Sequence, residues 1–129
     1  MEMLVLGSRG EVFVLIVEDE PLVREIAVDE FREAGYRVLT AVDEMTAMKI
    51  LESDQDLDLL FTDIRFPGTR DGWGVARAAR QLHPDLPVIY ATGFSPEQAD
   101  MVDGARFFKK PYRFAAVLSA AEELLSAKK

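Results

Sequence analysis

The 129-residue chain contains no cysteine, which excludes disulfides, thiolate metal centres and cysteine nucleophiles. It has a single histidine, His83, within QLHPDLP. That residue falls at an expected helix exit and reads as a surface side chain, not a phosphocarrier. Positive charge is scarce: 15 basic residues face 23 acidic ones, for a formal net charge of −8. No basic stripe is visible, so specific duplex binding is not expected. Long apolar runs are missing as well. Residues 1–6 are mostly apolar, but Arg9, Gly10 and Glu11 interrupt the run, which fits neither a signal peptide nor a membrane span. A cytoplasmic location with no membrane partner is therefore expected. There is no repeat, low-complexity tract or interdomain linker. What remains, at 49% hydrophobic and 29% charged residues, is the composition of one globular domain.

Strand-like and helix-like segments alternate five times. Apolar runs at residues 12–17, 36–41, 57–62, 87–91 and 105–108 read as strands. Residues 21–34, 44–53, 73–82, 96–102 and 112–127 read as helices. Pro21 suits a first helical position, Gly35 a C-terminal cap, and Asp43 and Asp71 N-caps. Val117, Leu118, Ala121, Leu124 and Leu125 form one stripe of the last helix, and Lys128 and Lys129 sit near its negative end. Such alternation implies a parallel sheet covered by helices on both faces. FVLIV and LLF are apolar throughout and suit central strands, whereas YRVLT and the arginine- and lysine-flanked fifth strand suit edges. These clues predict a flavodoxin-like, doubly wound (βα)5 sheet of order 2-1-3-4-5, an α/β fold. Its ligand site would lie beyond the carboxyl ends of strands one and three.

Both of those strands end in acids. VLIVEDE delivers Glu18 and Asp19, and LLFTDIRFPG delivers Asp63. Three carboxylates so close need a cation, and oxygen donors without histidine or cysteine favour Mg²⁺ over zinc. Strand four ends in YATGF, where Thr92 offers a hydroxyl and Gly93 leaves room for a bulky group. Strand five ends in FKKPY, whose Lys110 can reach the same mouth while Pro111 turns the chain. An aspartate nucleophile, acids for a divalent cation, a hydroxyl and an ammonium are what phosphoryl transfer to a carboxylate requires.

With VEDE, FTDIRFPG, ATG and KKP each at the matching strand end, the chain resembles response-regulator receiver domains of two-component signalling from about Val12 onward. Residues 1–11 would then be an N-terminal extension and 12–129 a stand-alone, single-domain receiver. The resemblance implies that Asp63 is the phosphoacceptor. Asp19 and Asp63 would be direct Mg²⁺ ligands, Glu18 would act through water, and the Arg65 backbone carbonyl would complete the metal site. Thr92 and Lys110 would hold the phosphoryl group, Phe107 would stand in for the aromatic switch residue, and Lys110–Pro111 would be a cis peptide. A histidine kinase or phosphotransfer protein would be the donor, and an unknown downstream protein the target. The protein would be a monomer or a phosphorylation-dependent dimer, catalysing only its own phosphorylation and dephosphorylation. On phosphorylation, Thr92 would move toward Asp63 and an exposed Phe107 would turn inward behind it.

The sequence departs from the family pattern at four places. Glu18 replaces the commoner aspartate, FPGTRDG is one residue longer than the usual loop, Phe107 lacks a hydroxyl, and the segment from Thr92 to Lys110 is short for a full fourth helix. Other readings of the residues stay open at this point. A degenerate receiver could act as a phosphorylation-independent docking module. An aspartyl-nucleophile phosphohydrolase would want a second aspartate where Arg65 stands. A nucleotide-binding domain would want a glycine-rich loop after the first strand. Glu20 reads simply as an acid near a helix start, and Trp73 as a packing residue.

Overall fold

The computed structural model describes residues 11–65, 71–93 and 101–127. Among the described residues, five strands and four helices follow one another: β1 Phe13–Val17, α1 Pro21–Glu33, β2 Arg37–Ala41, α2 Glu44–Leu51, β3 Leu59–Thr62, α3 Gly72–Leu82, β4 Val88–Thr92, β5 Arg106–Lys109 and α4 Phe114–Ala127. The strands form one parallel sheet in the order β2-β1-β3-β4-β5, as the edge and centre compositions predict. Strand alternation divides the core in two. Leu15, Val17, Leu60, Val88 and Tyr90 face Ala47 and Leu51 of α2 and Trp73, Val75 and Ala79 of α3. Val14, Ile16, Leu59, Phe61 and Ile89 face Ala27 and Phe31 of α1 and Val117 and Ala121 of α4.

The helix boundaries follow from local chemistry. Pro21 opens α1, whose end is a Schellman turn: Gly35 takes φ +98°, its amide donates to the Arg32 carbonyl, and the Tyr36 amide donates to that of Phe31. Asp43 caps α2 by accepting from the Thr46 amide at 2.9 Å, and Asp71 caps α3 by accepting from the Gly74 amide at 3.0 Å. Phe31 anchors the α1–α4 layer with edge-on contacts to Tyr36, Phe61 and Phe114, at ring separations of 5.3 to 5.6 Å.

Three expectations need correction or fall outside the described residues. His83 is not a free surface side chain: it is half-buried, and its Nε2 lies 2.9 Å from the Leu51 carbonyl, tying the end of α3 to the end of α2. The helix expected over 96–102 lies outside the described residues except for Met101 and Val102, which are not helical. Residues 1–10 of the extension, loop residues 66–70, and Lys128 and Lys129 also lie outside them. Among the described residues, no helix is long and apolar enough to cross a membrane.

Candidate functional site

The sheet itself places the site residues, because each follows or ends a strand and its amide continues the ladder. The Glu18 amide donates to the Ala41 carbonyl of β2, and the Asp63 amide to the Val17 carbonyl of β1, both at 3.0 Å. The Lys110 amide donates to the carbonyl of Thr92, the last residue of β4, at 2.8 Å. The carboxyl ends of β1, β3, β4 and β5 thus converge on one mouth.

Glu18, Asp19 and Asp63 each bring a carboxylate oxygen to within 4.8 Å of the others. Lys110 faces two of them, with Nζ 3.4 Å from Glu18 Oε1 and 3.5 Å from Asp63 Oδ2. The remaining oxygens are held by the main chain: the Glu20 amide donates to Glu18 Oε2 at 3.1 Å, and the Ile64 amide to Asp63 Oδ1 at 2.6 Å. Glu18 is 5% exposed, and burial pushes its carboxyl up to about 7; Asp63 adds to the rise, while the Glu20 amide and Lys110 oppose it. A group poised in this way gains most from a cation. The donor set of three carboxylates, with no soft ligand, fits Mg²⁺.

Thr92 is 2% exposed, so its side chain sits beneath the mouth instead of lining it openly. Arg65 is exposed. Phe107 differs from expectation. It is already half-buried, packs against the α2–α3 side of the core, and stacks on Trp73 with ring centroids 6.4 Å apart and planes 17° from parallel. The exposed starting position expected for Phe107 is therefore not what the structure shows. Trp73 is a packing residue, as its sequence context suggests, and Glu20 precedes α1 without capping it through its side chain.

Sequence reasoning missed three neighbours of the site. Arg24, on α1, donates from Nη1 to the Glu18 carbonyl at 3.0 Å and the Asp19 carbonyl at 3.4 Å, pinning the acidic loop from outside. Its place one turn into the helix that follows the acids was the available clue. Tyr112 is packed between Phe108 and Phe114. Its phenol is pushed up to about 12 by burial and by the negative field of Glu18 and Asp63. Gly72 packs directly against the main chain of Asp63. An Asp-Gly pair just before a helix is too common to announce such a contact.

Comparisons with known proteins identify the family of this fold. The family described as response regulator receiver domain matches residues 14–122, so the chain belongs to the receiver domains of two-component signal transduction. It is 30% identical to the response regulator receiver protein CpdR of Brucella abortus, over 88% of this chain and 97% of that protein. Sensor kinases are also among its curated relatives, but the chain spans only 9–13% of their length. Among solved structures, it superposes on a response regulator receiver protein from Sinorhizobium medicae with a TM-score of 0.90. Identity there is 31%, over 95% of this chain and all of that one. A second match is the response regulator TrrA of Thermotoga maritima, solved in complex with Mg²⁺ and BeF, with a TM-score of 0.78 and 29% identity. That match covers 88% of this chain and 98% of the other.

Proposed function

We propose that Asp63 is the phosphoacceptor of a two-component phosphorelay. The observation that carries this reading is the meeting of Glu18, Asp19 and Asp63 within 4.8 Å at the strand ends, with Lys110 facing two of the three. Because the Ile64 amide engages Oδ1, Asp63 Oδ2 faces Lys110 and is the oxygen presented for attack. Oδ2 attacks the phosphorus of a phosphohistidine on a histidine kinase or phosphotransfer protein. The P–N bond breaks with its electron pair returning to the imidazole, which takes a proton from water, and an acyl phosphate forms. Lys110 offsets the charge on the transferred group, and the Thr92 hydroxyl contacts a phosphoryl oxygen. Asp19, Asp63 and the Arg65 carbonyl would hold Mg²⁺, with Glu18 acting through water, and the ion would supply positive charge to offset that of the transferred group. Attack of water on phosphorus later releases phosphate and restores the carboxylate.

Residues 12–129 form the receiver unit and residues 1–11 an extension. The output is a changed protein-binding surface read by another protein in the cytoplasm, with no nucleic acid bound. Incubation with acetyl phosphate and Mg²⁺ should add one phosphoryl mass, labile at alkaline pH and absent from Asp63→Asn. Unchanged labelling of that variant would exclude Asp63. A wild-type protein that takes no label would instead fit a phosphorylation-independent docking module.

A further inference from the structure

The geometry points to a mechanical link between Asp63 and β5 through the first two residues of α3: Gly72 positions the main chain of the nucleophile, and Trp73 carries its displacement to Phe107. This rests on Asp63 being the phosphoacceptor.

A β-carbon at Gly72 would stand 2.1 Å from the Asp63 carbonyl oxygen, 2.6 Å from Ile64 Cα and 2.9 Å from the Asp63 carbonyl carbon. All three atoms are main chain, so no side-chain rotation could make room. Gly72 does not have a positive φ, so the position calls for glycine because of space and not because of backbone conformation. The contact is also bonded, since the Gly72 amide donates to the Ile64 carbonyl at 2.7 Å. The Asp71 cap on Gly74 secures this turn of α3 from its other side.

The next residue leads away from the site. Trp73 is 5% exposed and lies against Tyr90, ring centroids 4.6 Å apart, and against Phe107 at 6.4 Å. Tyr90 pairs with Phe107 across the β4–β5 ladder, and its hydroxyl accepts from the Val102 amide at 3.2 Å. Asp63, Gly72, Trp73 and Phe107 therefore form an unbroken series of contacts in a close-packed interior, where small shifts are passed on and not absorbed. The link needs no hydroxyl at position 107. It also starts from the main chain of Asp63, so it is separate from any movement of Thr92.

The chain has a single tryptophan, so Trp73 emission reports this link directly. In the wild type, titration with beryllofluoride and Mg²⁺ should change that emission at the concentrations that shift the Asp63 amide in NMR spectra. Gly72→Ala should weaken beryllofluoride binding at least tenfold. Trp73→Leu should still bind, with the Phe107 and Tyr90 amide shifts cut by more than half, whereas Trp73→Phe, which keeps a ring, should retain them. Emission that stays flat at saturation overturns the link without recourse to any variant. So does wild-type binding by Gly72→Ala, or a full Phe107 response in Trp73→Leu. A wild type that takes up no beryllofluoride defeats the reading of Asp63 itself, and the link with it.

Discussion

Lys110 Nζ stands 3.4 Å from Glu18 Oε1, although 92 residues separate the two in sequence. The ammonium occupies part of the charge field that a divalent cation would fill. Lys110→Met should therefore leave Mg²⁺ affinity equal to or higher than that of the wild type. It should also slow labelling by acetyl phosphate on the order of a hundredfold, a loss of about 2.7 kcal/mol of transition-state stabilisation. Calorimetry together with single-turnover labelling separates the two effects, and a variant that loses Mg²⁺ binding would contradict the competition argument.

Glu18 makes stability depend on pH. Its folded value, near 7, lies above the ordinary 4.5, so across that window the folded protein holds a proton that the unfolded chain has released. Stability of the metal-free protein should fall as pH rises from about 4.5 to about 7, by on the order of 3 kcal/mol from this group. The test is the difference in denaturant unfolding free energy between wild type and Glu18→Gln, measured across that range. Saturating Mg²⁺ should remove the trend by favouring the carboxylate. A difference independent of pH without metal would contradict the assignment.

Asp19 is the most open of the three acids and should contribute chiefly as a ligand. Asp19→Asn is expected to weaken Mg²⁺ binding at least tenfold, or about 1.4 kcal/mol. Because it also relieves repulsion among the acids, the metal-free fold should keep or slightly gain stability. Calorimetry and thermal unfolding of the same sample check both halves.

Phe31 has no solvent exposure and meets three other rings. Phe31→Ala should cost about 3–5 kcal/mol, within the range for emptying a large aromatic site. Urea unfolding would detect this, and a loss below 1 kcal/mol would mean that α1 and α4 close over the gap.

The strand order and the three acids were legible because they depend on short-range chemistry. An all-apolar FVLIV cannot sit at a wet edge, and a carboxylate at the end of such a strand has only one direction to go. Phe107 was misjudged because edge-strand composition does not reveal which partner lies opposite. Its neighbour Trp73 is 34 positions earlier in the chain and reaches it only through the placement of α3 on the sheet. Arg24, Tyr112 and Gly72 escaped for the same reason: each acts on the site through a main-chain approach or a field that only the assembled layers create. His83 looked solvent-facing because nothing in QLHPDLP points to the end of α2.

The ladder bonds of Glu18, Asp63 and Lys110 also bear on when the protein can first work during its own synthesis. Glu18 and Asp63 emerge before their counter-charge, because Lys110 faces them only when β5 has joined the far edge of the sheet, and α4 still has to be made after Lys110. A nascent chain holding only β1 to β4 carries the acids without the lysine. It has no α4 to cover Val14, Ile16 and Ile89. Such a chain should expose apolar surface. The phosphoryl acceptance proposed for Asp63 should thus arrive only after β5 and Lys110 are in place.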